Sequence, residues 1–373
     1  CSAGPAVRRA ERARGPRPLG SAGRAPRPRT PRSVSASPSI SPAGRRRRPL
    51  GRFLARRLCW FLLTLFGVVL AAFLLMRAVR GGPFDGERAL DPAIAAAVRA
   101  RYHLDWPLWR QFAHYIGPFN LDEHGLWGDG SVPFGGALAG DLGPSFKYRD
   151  FSVNQILAQS LPISLTLGGA ALGLGIALGL GAGALCAWRR GTALDLGLRV
   201  LATLGLCLPN FVIAGLLALL FCFELDWLPV AGWGASRHLI LPALALALPL
   251  AATLARLLRA ALLEALAEDH VRTARAKGLS EWQILWRHAL RPALLPVVSY
   301  LGPASAGILT GSLVIEKLFA IPGTGSFFVM SALNRDYPLS LGVTIVYTAL
   351  VYALNTLVDL AYGLLDPRLD GTK

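Results

Sequence analysis

"EDHVRTARAKGLSEWQILWRHALRPALLP", Glu268–Pro296, is charged and amphipathic, yet the chain on both sides of it is apolar enough to sit in lipid. Asp269 is placed to cap a helix that runs through His270, Val271, Arg272, Thr273, Ala274, Arg275, Ala276 and Lys277, with Arg272, Arg275 and Lys277 displaying cations. Gly278 then ends it, because glycine supplies the backbone angles at which helices terminate. After Leu279, the spacing of Ser280 and Gln283 is that of a capping box and predicts a second helix. Trp282, Leu285, Trp286 and Leu290 give that helix an apolar stripe. On these residues alone the hairpin has two readings. It is an anchor lying in the membrane interface, or a stiff corner held out for a partner to grip.

Working outward, a helix that crosses a bilayer needs about 20 mostly apolar residues. Six segments qualify: 57–79, 160–188, 196–223, 238–262, 297–316 and 339–364. Arg45 to Arg48, Arg52, Arg56 and Arg57 precede the first and place the N-terminus in the cytoplasm. Six crossings return the C-terminus to the same side. Arg189 and Arg190, and the basic stretch between the fourth and fifth spans, then fall inside, while residues 81–157, with more acids than bases, fall outside. The outer segment is predicted to hold two short helices, one opened by Asp91 and Pro92 and one by Asp105 and Pro107. A glycine-rich stretch follows, whose aromatic residues serve either a partner or the membrane interface.

Of 373 residues, 53% are hydrophobic and 16% charged, which favours an integral membrane protein. The net charge of +17 suggests nucleic acid until it is located. Residues 1–57 carry sixteen Arg and one Glu, so nearly all of it lies in the leading stretch and a distributed nucleic-acid surface is poorly supported. Residues 1–50, rich in Arg, Pro, Ser and Gly, are expected to be a disordered basic extension. The expected organisation is this extension, a first transmembrane helix in 51–80, the outer segment 81–157, a core of five further spans in 158–366 with the charged loop at 263–296, and a tail at 367–373. The fold class is all-α polytopic.

Gly175, Gly179 and Gly183 line one face of the second span and let another helix approach closely. Pro209, Pro242 and Pro249 are candidate kinks in the third and fourth. Asn355 and Asp359 share a face of the sixth span, and an intramembrane carboxylate is a proton-relay candidate. Asp359 nevertheless lies near the inner end, where an interfacial partner satisfies it more readily. Glu316 and Lys317 are expected to stay wet at the outer end of the fifth span. The five cysteines show no CxxC spacing and the six histidines form no HExxH, so neither a metal framework nor a metal-dependent hydrolase is supported. The chain has four lysines and none follows glycine, so it has no Walker A loop.

Glu268–Pro296 resembles the cytoplasmic "EAA" loop of binding-protein-dependent ABC importer permeases, in the version of the peptide and nickel group. "DHVRTARAKGL" and "RHALRPALLPV" carry the likeness, with Arg272, Thr273, Ala274 and Gly278 at the signature positions. It continues in "RRLCWFLLTLFGVVLAAFLL", "WLPVAGW", "VIEKLFAIPGTGSFFV" and "LVDLAYGLLDPR". "GDLGPSFKYRDFSVNQILAQSLPISLTLG" is more similar to oligopeptide permease B subunits than to dipeptide or nickel members. Residues 1–50 depart from the family pattern.

The resemblance implies a type I ABC importer transmembrane fold in the bacterial inner (cytoplasmic) membrane. It also implies a second homologous permease, two P-loop ATPase subunits and an extracytoplasmic peptide-binding protein as partners. Asp269, His270, Arg272, Thr273, Ala274, Arg275, Ala276, Lys277, Gly278 and Leu279 would couple the chain to an ATPase. No cofactor is expected on this chain, since ATP and Mg would be used by the partners, and no catalytic residue or metal is expected. The alternative is an ion- or proton-coupled secondary transporter, for which Asp359 is the one hint.

Overall fold

The computed structural model describes residues 50–78, 103–117, 136–148, 150–309 and 313–365. Residues from Gly51 onward form one compact unit. The basic extension, the helix opened by Asp91 and Pro92, the first half of the glycine-rich stretch and the C-terminal tail lie outside the described residues.

The described elements are helices: α1 (Leu50–Ala78), α2 (Leu108–Ile116), α3 (Val153–Trp188), α4 (Ala193–Cys207), α5 (Asn210–Ala218), α6 (Ser236–Ala265), α7 (Asp269–Ala276), α8 (Glu281–Ile284), α9 (Leu290–Leu309), α10 (Leu313–Leu318), α11 (Thr324–Leu333) and α12 (Tyr337–Leu365). Two stretches of wider π geometry, Leu219–Glu224 and Leu285–Ala289, continue α5 and join α8 to α9. Five helical stretches are long and apolar enough to cross a membrane: Ala55–Ala78, Val153–Trp188, Ser236–Ala265, Glu281–Leu318 and Tyr337–Leu360. The expected third span, 196–223, is a bent pair instead. Its halves, Ala193–Cys207 and Asn210–Glu224, meet at 110°. The break lies where Pro209 removes a backbone donor and pushes Leu208 out of the helical region to φ −87°, ψ 129°. Pro242 and Pro249, by contrast, lie inside an unbroken α6.

α3 and α6 form the centre of the bundle. A Cβ on Gly175 would stand 2.7 Å from Leu250 Cδ2, one on Gly179 2.7 Å from Leu254 Cβ, and one on Gly183 2.8 Å from the Ala255 carbonyl oxygen. The same three positions also face the carbonyl oxygens of Ala247, Ala251 and Ala255, so each four-residue step along α3 is matched by a four-residue step along α6 in the same direction, and the two helices run parallel. The segment between them must therefore bring the chain back to its starting face, and α4 with α5 are the described helices available to do so. At these three positions the α3 backbone lies close against Leu250, Leu254 and Ala255 of α6.

α1 packs antiparallel to α12 and is tied at both ends. At one end Arg57 pairs with Asp359, the Arg57 guanidinium donates to Thr356 Oγ1 (3.2 Å) and the Tyr352 hydroxyl donates to the Arg57 carbonyl (2.6 Å). The Asp359 carboxylate thus has the interfacial partner that its depth called for. At the other end the Arg77 guanidinium lies over the Tyr337 ring, 4.6 Å from its centroid.

Three sequence expectations need correction. Glu316 is fully buried rather than wet. The chain folds back after α10, and α11 covers the carboxylate, which accepts from the Ser164 hydroxyl (2.8 Å) and the Ser326 N–H (3.1 Å). Lys317 on the next position does face outward. In the outer segment Pro107 itself occupies the cap position of α2, with Asp105 further out. Finally, α3 starts at Val153 rather than 160, because Ser152 and Gln155 form a capping box (3.2 and 3.0 Å) that was not recognised in the sequence.

Candidate functional site

The charged stretch folds as a helix, a corner and a helix. The α7 cap position is Glu268 rather than Asp269, and no side chain bonds the exposed N–H groups there. Asp269 sits one residue later, in the first turn, where a carboxylate still complements the helix dipole. From there it pairs with Arg272 (3.3 Å), while Thr273 donates to the Asp269 carbonyl (3.0 Å). His270 Nδ1 lies 3.0 Å from the Glu268 carboxylate.

The corner is set by Gly278 at φ 80°, with no atom near enough to obstruct a side chain there. Its positive φ is the reason for glycine. The Gly278 N–H donates to Arg275 O (2.9 Å) and the Leu279 N–H to Ala274 O (3.3 Å), closing the carbonyl end of α7. α8 opens on the predicted capping box: Ser280 Oγ accepts from Gln283 N–H (3.3 Å) and Gln283 Oε1 accepts from Ser280 N–H (3.2 Å).

Two further features make the hairpin stiff. Val271, Ala274 and Ile284 are buried in a small core of their own, backed by Leu266 and Leu279. Arg275 also reaches across the corner and forks onto Glu281, Nε to Oε1 at 2.8 Å and Nη2 to Oε2 at 3.1 Å. The carboxylate holds the Arg275 guanidinium even further above its already high ordinary pKa. Of the ten residues singled out in the sequence, Asp269, His270, Arg272, Thr273, Arg275, Ala276, Lys277 and Gly278 lie exposed along one edge of the hairpin. Ala274 and Leu279 pack inward and hold that edge in shape.

Behind the hairpin, a cavity of about 400 Å³ separates it from the ends of α3 and α6, lined by Trp188, Arg190, Leu266, Arg275, Glu281 and Leu285. Trp282 packs against Trp188 (5.7 Å) and Trp286 (5.3 Å), so the α8 face stands beside the end of α3. The nearby frame rests on an ion pair that the sequence reading missed. Asp195, fully buried at the start of α4, accepts a two-pronged bond from Arg259 of α6 (2.8 and 2.9 Å), together with the Gly191 N–H (3.1 Å) and the neighbouring Arg199. Its only sequence signal was an arginine, Arg259, within an otherwise apolar stretch of helix that also holds Arg256, 64 residues from its acid. Among the described residues no three His, Cys, Asp or Glu side chains converge as a metal site would require.

A family model described as "Binding-protein-dependent transport system inner membrane component" matches residues 175–371, which includes the whole hairpin. The chain belongs to that family. Permeases of this family that resemble it include the oligopeptide transport system permease protein OppB of Salmonella typhimurium, 42% identical over 320 residues, covering 85% of this chain and 99% of that one. The dipeptide transport system permease protein DppB of Bacillus subtilis is 40% identical over 320 residues, covering 86% and 98%. Among solved structures, an inward-facing MetNI methionine ABC transporter aligns at 16% identity over 57% of this chain and 96% of its own, with a TM-score of 0.48. The protein is thus a multi-pass membrane permease subunit of the ABC import class.

Proposed function

We propose that the chain is one of two six-span permeases forming the pathway of an oligopeptide importer in the cytoplasmic membrane. The bent pair Ala193–Glu224 serves as its third span, and both termini lie in the cytoplasm. In this reading an extracytoplasmic binding protein delivers peptide, and two P-loop ATPases use ATP and Mg on the cytoplasmic side. The exposed edge from Asp269 to Gly278 docks into one ATPase. Closure of the ATPase pair draws the two permease hairpins together and switches the pathway from inward- to outward-facing.

The observation that carries this reading is the stiffness of the hairpin. Force applied to α7 would pass through the Gly278 corner, the Arg275–Glu281 fork and the Val271–Ala274–Ile284 core toward α9. An interfacial anchor has no need of such a brace. The oligopeptide class is supported by the relatives' names and by the length over which they align. The secondary-transport alternative loses its hint, because Asp359 is paired with Arg57.

The test is affinity purification of the tagged chain from mild detergent, with mass spectrometry of what accompanies it. Recovery of a second permease and P-loop ATPases, lost when 269–279 is replaced, is the expected result. A chain that purifies alone and supports ion-driven, ATP-independent uptake would overturn the reading.

A further inference from the structure

The cavity behind the hairpin opens where a span ends. Trp188 is the last residue of α3, which is long and apolar enough to cross a membrane. Trp282 and Trp286 of the hairpin stand in line with it, Trp188 to Trp282 at 5.7 Å and Trp282 to Trp286 at 5.3 Å. All three rings are about half exposed. A row of half-exposed indoles at a span end suits the boundary between lipid and water, where the ring body and the N–H each find their own solvent.

The charge beside this row is one-sided. Arg189 and Arg190 follow Trp188 directly and are exposed. Arg190 and Arg275 both line the cavity, and Glu281 is the one acid among the lining residues. Both Glu281 oxygens are taken by the Arg275 fork, at 2.8 and 3.1 Å, so that pair is neutral. Among the described residues no acid pairs with Arg190. Arg189 lies over the Trp188 ring, 5.1 Å from its centroid, so that ring already carries a cation. Two cations are thus in excess, next to an apolar wall of Trp188, Leu266 and Leu285. The space of about 400 Å³ has room for about thirteen waters at ~30 Å³ each.

An amphiphile with an anionic head complements both halves of this surface. We propose that the cavity and its tryptophan row bind an anionic phospholipid, its phosphate held by Arg190 and its hydrocarbon against the indoles. Basic pockets between spans at a membrane face recognise such headgroups. Free phosphate would meet the arginine and leave the indoles wet. A zwitterionic lipid would bring another cation to a wall that already has two in excess. The bound lipid would fill the space that separates the hairpin from the ends of α3 and α6. The proposal needs only a cavity at a span end and does not rest on the importer reading.

The experiment is native mass spectrometry of the full chain in mild detergent, titrated with phosphatidylglycerol, phosphatidylcholine or glycerol 3-phosphate. Expected is saturable binding of one phosphatidylglycerol, about fivefold or more tighter than phosphatidylcholine, with glycerol 3-phosphate weaker still. Arg190→Gln should weaken phosphatidylglycerol about fivefold. Arg237→Gln, which removes an exposed charge in the first turn of α6 at the opposite end of that helix, should leave it unchanged. Both side chains are exposed, so both variants are expected to fold. Equal binding of the two lipids, or glycerol 3-phosphate as tight as phosphatidylglycerol, overturns the proposal. So do unchanged binding in Arg190→Gln and an equal loss in the two variants. Binding to the isolated chain that vanishes when copurifying subunits are kept gives the face to a protein neighbour and overturns it as well.

Discussion

Gly179→Ala in α3 adds one methyl group, and the structure fixes what it meets. The new Cβ would lie 2.7 Å from Leu254 Cβ, 2.9 Å from the Ala251 carbonyl oxygen and 3.1 Å from Ala251 Cα, where ordinary contact begins at 3.4 Å. Two of these atoms are backbone, so rotating a side chain cannot relieve the clash. α3 and α6 must part by about 0.7 Å, the difference between 3.4 and 2.7. A gap of that order forfeits a quarter to a half of each dispersion contact, and the neighbouring contacts at Gly175 and Gly183 open with it. Overpacking of this kind costs about 1–3 kcal/mol. Against it stands a gain of roughly 0.5–1 kcal/mol from replacing glycine by alanine in a helix. The net expectation is a loss of about 0–2.5 kcal/mol, growing with Gly179→Val.

The control is on the same helix. Gly181 has nothing within 4 Å of its would-be Cβ, so Gly181→Ala keeps the propensity gain without the clash and is expected to be neutral or stabilising. Thermal unfolding of both variants in one detergent, followed by loss of the monodisperse elution peak, reads the difference directly. Equal midpoints for the two variants would refute the claim that close parallel packing of α3 on α6 holds the bundle.

Gly278→Val puts a β-branched residue at φ 80°, a backbone cost of roughly 1–2 kcal/mol with no steric clash, and is expected to uncouple ATP hydrolysis from uptake while insertion is normal. Normal uptake by this variant in proteoliposomes would remove the hairpin from the coupling path. Glu316→Leu leaves the Ser164 hydroxyl and the Ser326 N–H without their acceptor, at about 1–3 kcal/mol for each, and should raise proteolytic sensitivity within 319–335 before the rest of the chain is cut. Uniform sensitivity would show that Glu316 is not what pins α11. In the outer segment, burial lowers the His103 and His114 pKa values, helped at His103 by Arg110 and at His114 by His103. The packing of α2 is then insensitive to pH above the ordinary imidazole value of about 6.5 and weakens as pH falls below it, where the unfolded segment takes up protons that the folded one resists. Hydrogen exchange over 107–117 at pH 7.5 and pH 5.5 checks the sign, and His114→Gln should flatten the response.

Some features set by near neighbours in the chain were legible in the sequence, although the Ser152–Gln155 box and the cap positions of α2 and α7 were not. The Ser280–Gln283 box, the Gly278 corner and the break at Pro209 each depend on atoms a few residues apart, and each appears where the residues placed it. The glycine stripe was legible too, since a four-residue spacing of small side chains has one helical meaning. Charges whose partners are distant were not. Glu316 reads as an exposed acid at a span end until the chain folds back over it, and Asp195 reads as an ordinary residue of a first helical turn until Arg259 arrives from another helix. Asp336 is the same case: fully buried, it gathers the Ser145 hydroxyl and the N–H groups of Phe146 (3.1 Å) and Lys147 (3.2 Å) from a loop nearly two hundred residues earlier. The 110° angle at Pro209 was equally out of reach, because proline breaks a helix without saying where the next one points. The docking proposed for the exposed edge of α7 draws on kinship as well as on the braced corner, since four exposed ionic groups on a short helix are common to many surfaces.

The clasp between Arg57 and Asp359 sets an order of events during synthesis. α1 leaves the ribosome well before α12, and the acid that pairs with its arginine lies about 300 residues downstream, near the end of α12. At ~5–20 residues per second, roughly 15–60 s pass between the two. Through that interval α1 has α2 to pack against, through Phe112 and Tyr115, but lacks its α12 neighbour. The two helices of opposite direction then close on one another. A chain cut short before Asp359 would carry every packing contact between α3 and α6 and still lack the clasp that joins α1 to α12.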